Sequence, residues 1–280
     1  MLLTPDTHVN LLVAYPYFIG GMGDAVRRLA DTANVRLLID SGAYTAWNSK
    51  KTIDLAAYCR FLANPPVPYT FAVQLDVFGD AEGSYRNLTE MHRRGFHNVL
   101  PVFTRGETLE RLEEFYTYSD YIMFGGVTIG ENNRAYINWF QEQNQGRKAH
   151  WLGFTEMDYL KHHRPESADS SGWHCQATYG LLNIYDGNGM WKRVHKSNFG
   201  KLLANKRWLR MNRISGPEIE ALSDPAQWKN GPRAMSLNIT ARAHLLRAID
   251  VERSIGTKLY LACSTPFQVD AITYAWKSLL

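Results

Sequence analysis

The chain has 280 residues, enough for one large domain or two small ones. Its 45% hydrophobic and 21% charged residues are ordinary globular chemistry and exclude a disordered chain. The net charge of +4 is mild, and no apolar run approaches the ~20 residues of a membrane span.

In chain order, the most apolar early stretch is 11–19, which Pro16 interrupts and no basic segment precedes, so neither a signal peptide nor a membrane anchor is expected. Gly20-Gly21-Met22-Gly23-Asp24 then reads as a turn, because no βαβ unit with a following acid makes it a dinucleotide fingerprint. Short apolar runs predict strands over 10–15, 35–40, 70–76, 98–103, 121–126, 149–154, 167–170 and 258–264. Most are continuous rather than alternating, as expected for parallel strands covered on both faces. Helical patterns fall between them. Thr52 is placed to cap a helix running to Leu62, and 81–94 carries Tyr85, Leu88 and Met91 at a spacing of three. Leu109, Leu112 and Phe115 repeat that pattern in 108–118, and a helix over 134–145 is stopped by Gly146. Thr265-Pro266 opens a last helix to Leu280. This alternation predicts an α/β fold, a (β/α)8 TIM-type barrel forming a single domain over 1–280, with a doubly wound open sheet as the other arrangement of the same pattern.

The exception is a long insertion between strands 7 and 8, basic and aromatic over 174–230, with a hairpin signal at Asp186-Gly187-Asn188-Gly189. Lys192, Arg193, Lys196, Lys201, Lys206, Arg207, Arg210 and Arg213 are interleaved there with Trp191, Phe199 and Trp208, and no acid falls among them. Cations neutralise phosphates and aromatic faces stack on bases, so nucleic acid is one expected partner. A solvated basic face anchored to the core by its tryptophans is the other reading. Cys59, Cys175 and Cys263 are widely spaced, which argues against disulfides and for small buried core residues. His174-Cys175 lacks a second ligand pair, so no structural metal is expected.

In a barrel the chemistry lies at the carboxyl ends of the strands. Those ends carry Asp40-Ser41-Gly42, Asp76, Thr104-Arg105, Gly125-Gly126, Thr155-Glu156 and Asp169-Ser170-Ser171. One such aspartate commonly caps a helix or a turn. Three converging on one mouth make a site. Arg105 is expected to pair with Glu107 or Glu131, the alternative being a grip on a phosphate.

These residues also form motifs. Asp40-Ser41-Gly42-Ala43-Tyr44 resembles the Asp-Ser-Gly-Gly-aromatic motif of the tRNA-guanine transglycosylase superfamily. Gly125-Gly126-Val127-Thr128-Ile129-Gly130-Glu131 is similar to its Gly-Gly-Leu-Ala-Val-Gly-Glu, and His150-Trp151-Leu152-Gly153-Phe154-Thr155 to its His-Tyr-Leu-Met-Gly-Val-Gly. Gln74-Leu75-Asp76-Val77 and Asp169-Ser170-Ser171-Gly172-Trp173 look closer to the DpdA branch, often phage-encoded relatives that place 7-deazaguanine bases in DNA. The resemblance covers roughly 35–173 and implies roles residue by residue. Asp169 would attack C1′ of the target nucleoside, and Asp40 would serve as acid and base. Asp76 would read the guanine-like edge, with Ser41 beside it. The Gly125 and Gly126 backbone would bind the base carbonyl, and Tyr44 and Leu152 would sandwich the ring.

The resemblance further implies base exchange in DNA with a free preQ0-like base, no cofactor and no metal, in the cytoplasm (of the host, if the protein is viral). The superfamily's Cys-x-Cys-x-x-Cys…His zinc site has no counterpart in this sequence. Transfer ribonucleic acid is therefore the alternative substrate, and a homodimer or a partner protein stays open. A carboxylate-pair glycosidase or nucleoside hydrolase, and a non-catalytic nucleic-acid platform, are the competing readings.

Overall fold

The computed structural model describes residues 3–127 and 132–280. Eleven strand segments are β1 His8–Ala14, β2 Asn34–Asp40, β3 Phe71–Val73, β4 Val99–Leu100, β5 Val102–Phe103 and β6 Tyr121–Phe124. They continue with β7 Lys148–Trp151, β8 Ser167–Ser170, β9 Leu181–Gly187, β10 Met190–His195 and β11 Lys258–Cys263. Nine of these make one sheet in the order β4-β3-β2-β1-β11-β8-β7-β6-β5. Its two ends, β4 and β5, are consecutive pieces of a single strand divided by Pro101.

Proline has no N–H to give a ladder, yet its carbonyl still accepts from Met123 N at 2.8 Å. The strand therefore pairs with β3 before Pro101 and with β6 after it. Eight strands in chain order thus curl into a nearly closed parallel barrel of the TIM type. All eight expected strands are present within a few residues of their expected ends.

The caps mostly follow the sequence. Thr108 accepts from Arg111 N, and Thr265 forms a capping box with Gln268. One cap differs: the helix Leu55–Ala63 is capped by Asp54, whose Oδ1 accepts from Ala57 N, and not by Thr52. The last helix stops at Lys277.

The chain divides into two compact units, one of 11–20 and 36–169, the other of 1–10, 21–35 and 170–280. In the second of these, β9 and β10 form the expected hairpin around Asn188 and Gly189. Its aromatics turn inward. Phe199, Trp208 and the buried Trp228 pack with Leu182, Ile184, Val194 and Leu202 in one apolar cluster. Trp208 also donates through Nε1 to Asp186 at 2.9 Å. Trp191 lies against His244, with ring centroids 4.3 Å apart. The cysteines are free; Cys59 and Cys263 are buried as expected, but Cys175 is exposed, because it ends a single helical turn whose buried residues are Trp173 and His174. No helix of the described residues is long and apolar enough to cross a membrane.

Candidate active site

Every carboxylate of the expected site belongs to the unit containing 36–169. Asp40 ends β2, and the turn after it folds back on its side chain, with Gly42 N donating to Asp40 Oδ1 at 2.6 Å. That turn needs glycine: Gly42 has φ +80°, and a Cβ there would stand 2.5 Å from Pro16 Cδ. Burial pushes the Asp40 carboxyl up to about 6; the Gly42 N–H opposes the shift and the nearby Asp169 charge adds to it. The two carboxyl groups thus lie within electrostatic reach of each other.

Asp169 is 7% exposed on β8. Its Oδ1 accepts from Gly153 N at 2.9 Å and from His150 Nε2 at 3.1 Å. Residues two apart on a strand share a face, so Ser167 stands beside Asp169, and the register sets Ser167 opposite His150 on β7. A carboxylate has no proton to give, so His150 Nε2 donates to Asp169, while its Nδ1 is hydrogen-bonded to the Ser167 hydroxyl. Ser167 is in turn hydrogen-bonded to the Tyr121 hydroxyl. The result is a chain of hydrogen bonds joining Tyr121, Ser167, His150 and Asp169, with Ser167 and His150 wholly buried. It fixes the nucleophile candidate's side chain in one orientation.

Asp76 follows β3 and accepts at Oδ1 from Gln74 Nε2 at 2.7 Å. Burial pushes it up to about 7 against that hydrogen bond, and the Asp40 and Glu107 charges push the same way. Burial also raises Glu107 to about 7, against the Thr104 N–H that its carboxylate accepts. A fourth carboxyl group therefore lies within electrostatic reach of Asp76. Ser41 is 2% exposed between Asp40 and Gly42.

The Gly125 N–H is engaged in the ladder, donating to Phe103 O at 2.9 Å. Of the glycine pair, the Gly125 N–H is thus taken by the sheet. Gly125 instead keeps the floor open: a Cβ there would crowd Thr104 and Val102 at 3.2 Å, with Leu152 Cδ1 at 3.6 Å. Thr128, Ile129, Gly130 and Glu131 of that motif lie outside the described residues.

Arg105 does something other than pair with Glu107. It donates through Nε to Gly126 O at 3.0 Å and through a terminal nitrogen to Asn133 at 3.1 Å, and its guanidinium lies 4.0 Å from the Tyr136 ring centre. It braces the glycine turn.

Tyr44 is 51% exposed and not alone. Its ring lies 5.8 Å from Phe78, and Phe78 stacks on Trp47 at 5.1 Å, with Trp47 itself 53% exposed. These three rings form an aromatic surface on the segments after β2 and β3.

Of the cations in the other unit, Lys192, Arg193, Lys196, Lys201, Lys206 and Arg210 are exposed. Arg207 is tied to Asp186, at 2.7 Å to both its carboxylate and its carbonyl. Of the tryptophans among them, Trp208 packs half-buried against the apolar cluster, and Trp191 lies half-buried against His244.

His150, Ser167, Gln74, Glu107, Trp47 and Phe78 were missed as functional candidates by the sequence reading. The available signal was polarity out of place. Gln74 interrupts an apolar run two residues before Asp76, and Ser167 stands two before Asp169. The sequence matches no protein-family model and no curated protein.

Proposed function

We propose that the protein is a base-exchanging transglycosylase, acting on DNA to replace guanine with a 7-deazaguanine base through an aspartyl-glycosyl intermediate. The observation that carries the reading is that Asp40 and Asp169, from separate strands, come within electrostatic reach of each other and are held by different partners.

Exchanging one base for another on the same sugar face takes two inversions, so a covalent intermediate is the economical route. The Asp169 carboxylate, oriented by His150 and Gly153, attacks C1′ as the bond to the outgoing base breaks. Asp40, with a carboxyl raised to about 6, keeps a protonated fraction at neutral pH far above that of an ordinary aspartate and gives that proton to the leaving nitrogen. It recovers a proton from the incoming base, whose nitrogen then displaces Asp169. A base worked on in this way leaves its stack, and Tyr44 with Leu152 offers it faces. The exposed cations from Lys192 to Arg210 supply charge for a phosphate backbone.

The test is incubation of the protein with duplex DNA and, separately, tRNA, each with labelled guanine or preQ0. Label in DNA, together with a denaturant-stable protein–DNA adduct that Asp169→Asn abolishes, is the expected result. Label in tRNA alone replaces the substrate. Free base or sugar released without incorporation makes the protein a hydrolase, and salt-sensitive binding with neither makes it a binding platform.

A further inference from the structure

Gln74 is wholly buried, and its backbone is used in full view of the sheet, with Gln74 N donating to Leu100 O at 3.0 Å. Its amide is half satisfied. Nε2 donates to Asp76 Oδ1 at 2.7 Å, whereas Oε1 has no hydrogen-bond partner among the described residues. Turning the amide over would not relieve this, because Oε1 would then face the Asp76 carboxylate and Nε2 would be stranded instead. Buried acceptors are almost always paired, so an orphan beside a carboxylate calls for an explanation.

Asp76 is itself within electrostatic range of Asp40. The amide that carries the orphan oxygen is therefore bonded to a member of the carboxyl cluster. Two acceptors side by side, one carboxylate and one amide oxygen, match a planar ligand edge that presents two neighbouring N–H donors.

We propose that Gln74 is a specificity-determining residue whose Oε1 accepts the exocyclic amino group of a 2-amino-4-oxopyrimidine edge, while Asp76 accepts the adjoining ring N–H. This rests on the base-exchange reading and names the side chain that would read the 2-amino group shared by guanine and the 7-deazaguanines. Hypoxanthine, which keeps the ring N–H and lacks the amino group, leaves Oε1 as unpartnered as it is in the empty protein. Adenine offers an acceptor where Asp76 needs a donor.

Equilibrium dialysis of radiolabelled guanine and hypoxanthine against the full chain tests this without any turnover. Wild type is expected to hold guanine about tenfold more tightly, the value of one well-made hydrogen bond. Gln74→Leu is expected to lower guanine to the level of hypoxanthine and to leave hypoxanthine unchanged. Gln74→Met, closer in length to glutamine, repeats the test should the leucine variant fail to fold. Equal wild-type affinities overturn the inference, as does a folded variant that keeps the preference; in either case, exchange of base into DNA leaves the base-exchange reading standing. Binding of neither purine overturns the inference, and with no exchange into DNA or tRNA it removes that reading as well.

Discussion

Asp40 and Asp76 stand where an ionised carboxylate has little water, and their values of about 6 and about 7 lie above the ordinary 3.8. A raised carboxyl pKa means that the folded chain holds its proton more tightly than the unfolded one. The stabilisation is complete below about pH 4 and is lost as pH rises through 6 and 7. The thermal midpoint is therefore expected to fall between pH 5 and pH 8, and an Asp40→Asn, Asp76→Asn variant to melt a few degrees above wild type at pH 8. Calorimetric melts across that range check it, and an equal fall in both proteins refutes it. Asp40 and Asp76 were legible as candidates in the sequence because each follows an apolar run, whereas Asp169 follows Glu166-Ser167-Ala168 and was suggested by strand order and the resemblance alone. What holds them was not legible. His150 and Ser167 meet Asp169 only through the register of β7 against β8, and register follows from the pairing of the whole sheet rather than from local pattern.

Helices in the unit that ends the chain are fastened by one buried ion pair. Arg242, wholly buried on the helix Met235–Ile255, meets Glu218 of the helix Gly216–Leu222 and donates to the carbonyls of Asn212 at 2.9 Å and Arg213 at 2.7 Å. Burial by itself raises the Glu218 carboxyl, but the bonds from Arg242 and Ser215 outweigh it and leave the group below 4.5. This contribution has the opposite sign to that of Asp40: it is present above about pH 4.5 and lost as the solution becomes more acid. Glu218→Ala leaves a guanidinium buried without its counter-ion and is expected to cost about 3–5 kcal/mol in chemical denaturation. A loss below about 1 kcal/mol would show that water reaches Arg242. Nothing in the spacing of Glu218 and Arg242 announces this pair, since 24 residues and two turns separate them. The strands, in contrast, were legible as elements, because a parallel strand covered on both faces must be apolar along its whole length. The break at Pro101 was visible as a residue but not as the seam of a ring. The caps show the same limit at finer grain. Thr52 and Asp54 are both good capping residues, and only the direction of chain entry selects Asp54.

At the scale of the molecule, a net charge of +4 is a weak guide to partners, and the placement of the cations matters more. Lys192, Lys196, Lys201 and Lys206 are exposed, whereas Arg207 is already occupied by Asp186. If the four lysines contact phosphates, their joint replacement by glutamine lowers the slope of log affinity against log salt by about 3.6 on duplex DNA. Arg207→Gln alone is expected to change that slope little. Fluorescence anisotropy over a salt series measures both, and an unchanged slope in the fourfold variant moves the nucleic-acid surface elsewhere. The composition of the insertion was legible, but its aromatics were ambiguous until Phe199, Trp208 and Trp228 were found in a core of their own. The cysteines carry a different consequence. Cys175 is open to solvent, while Cys59 and Cys263 are buried, one in each compact unit. A maleimide dye thus has one prompt target on the native chain, and the two slow ones are clocks: labelling of Cys59 times the opening of one unit, and labelling of Cys263 the opening of the other.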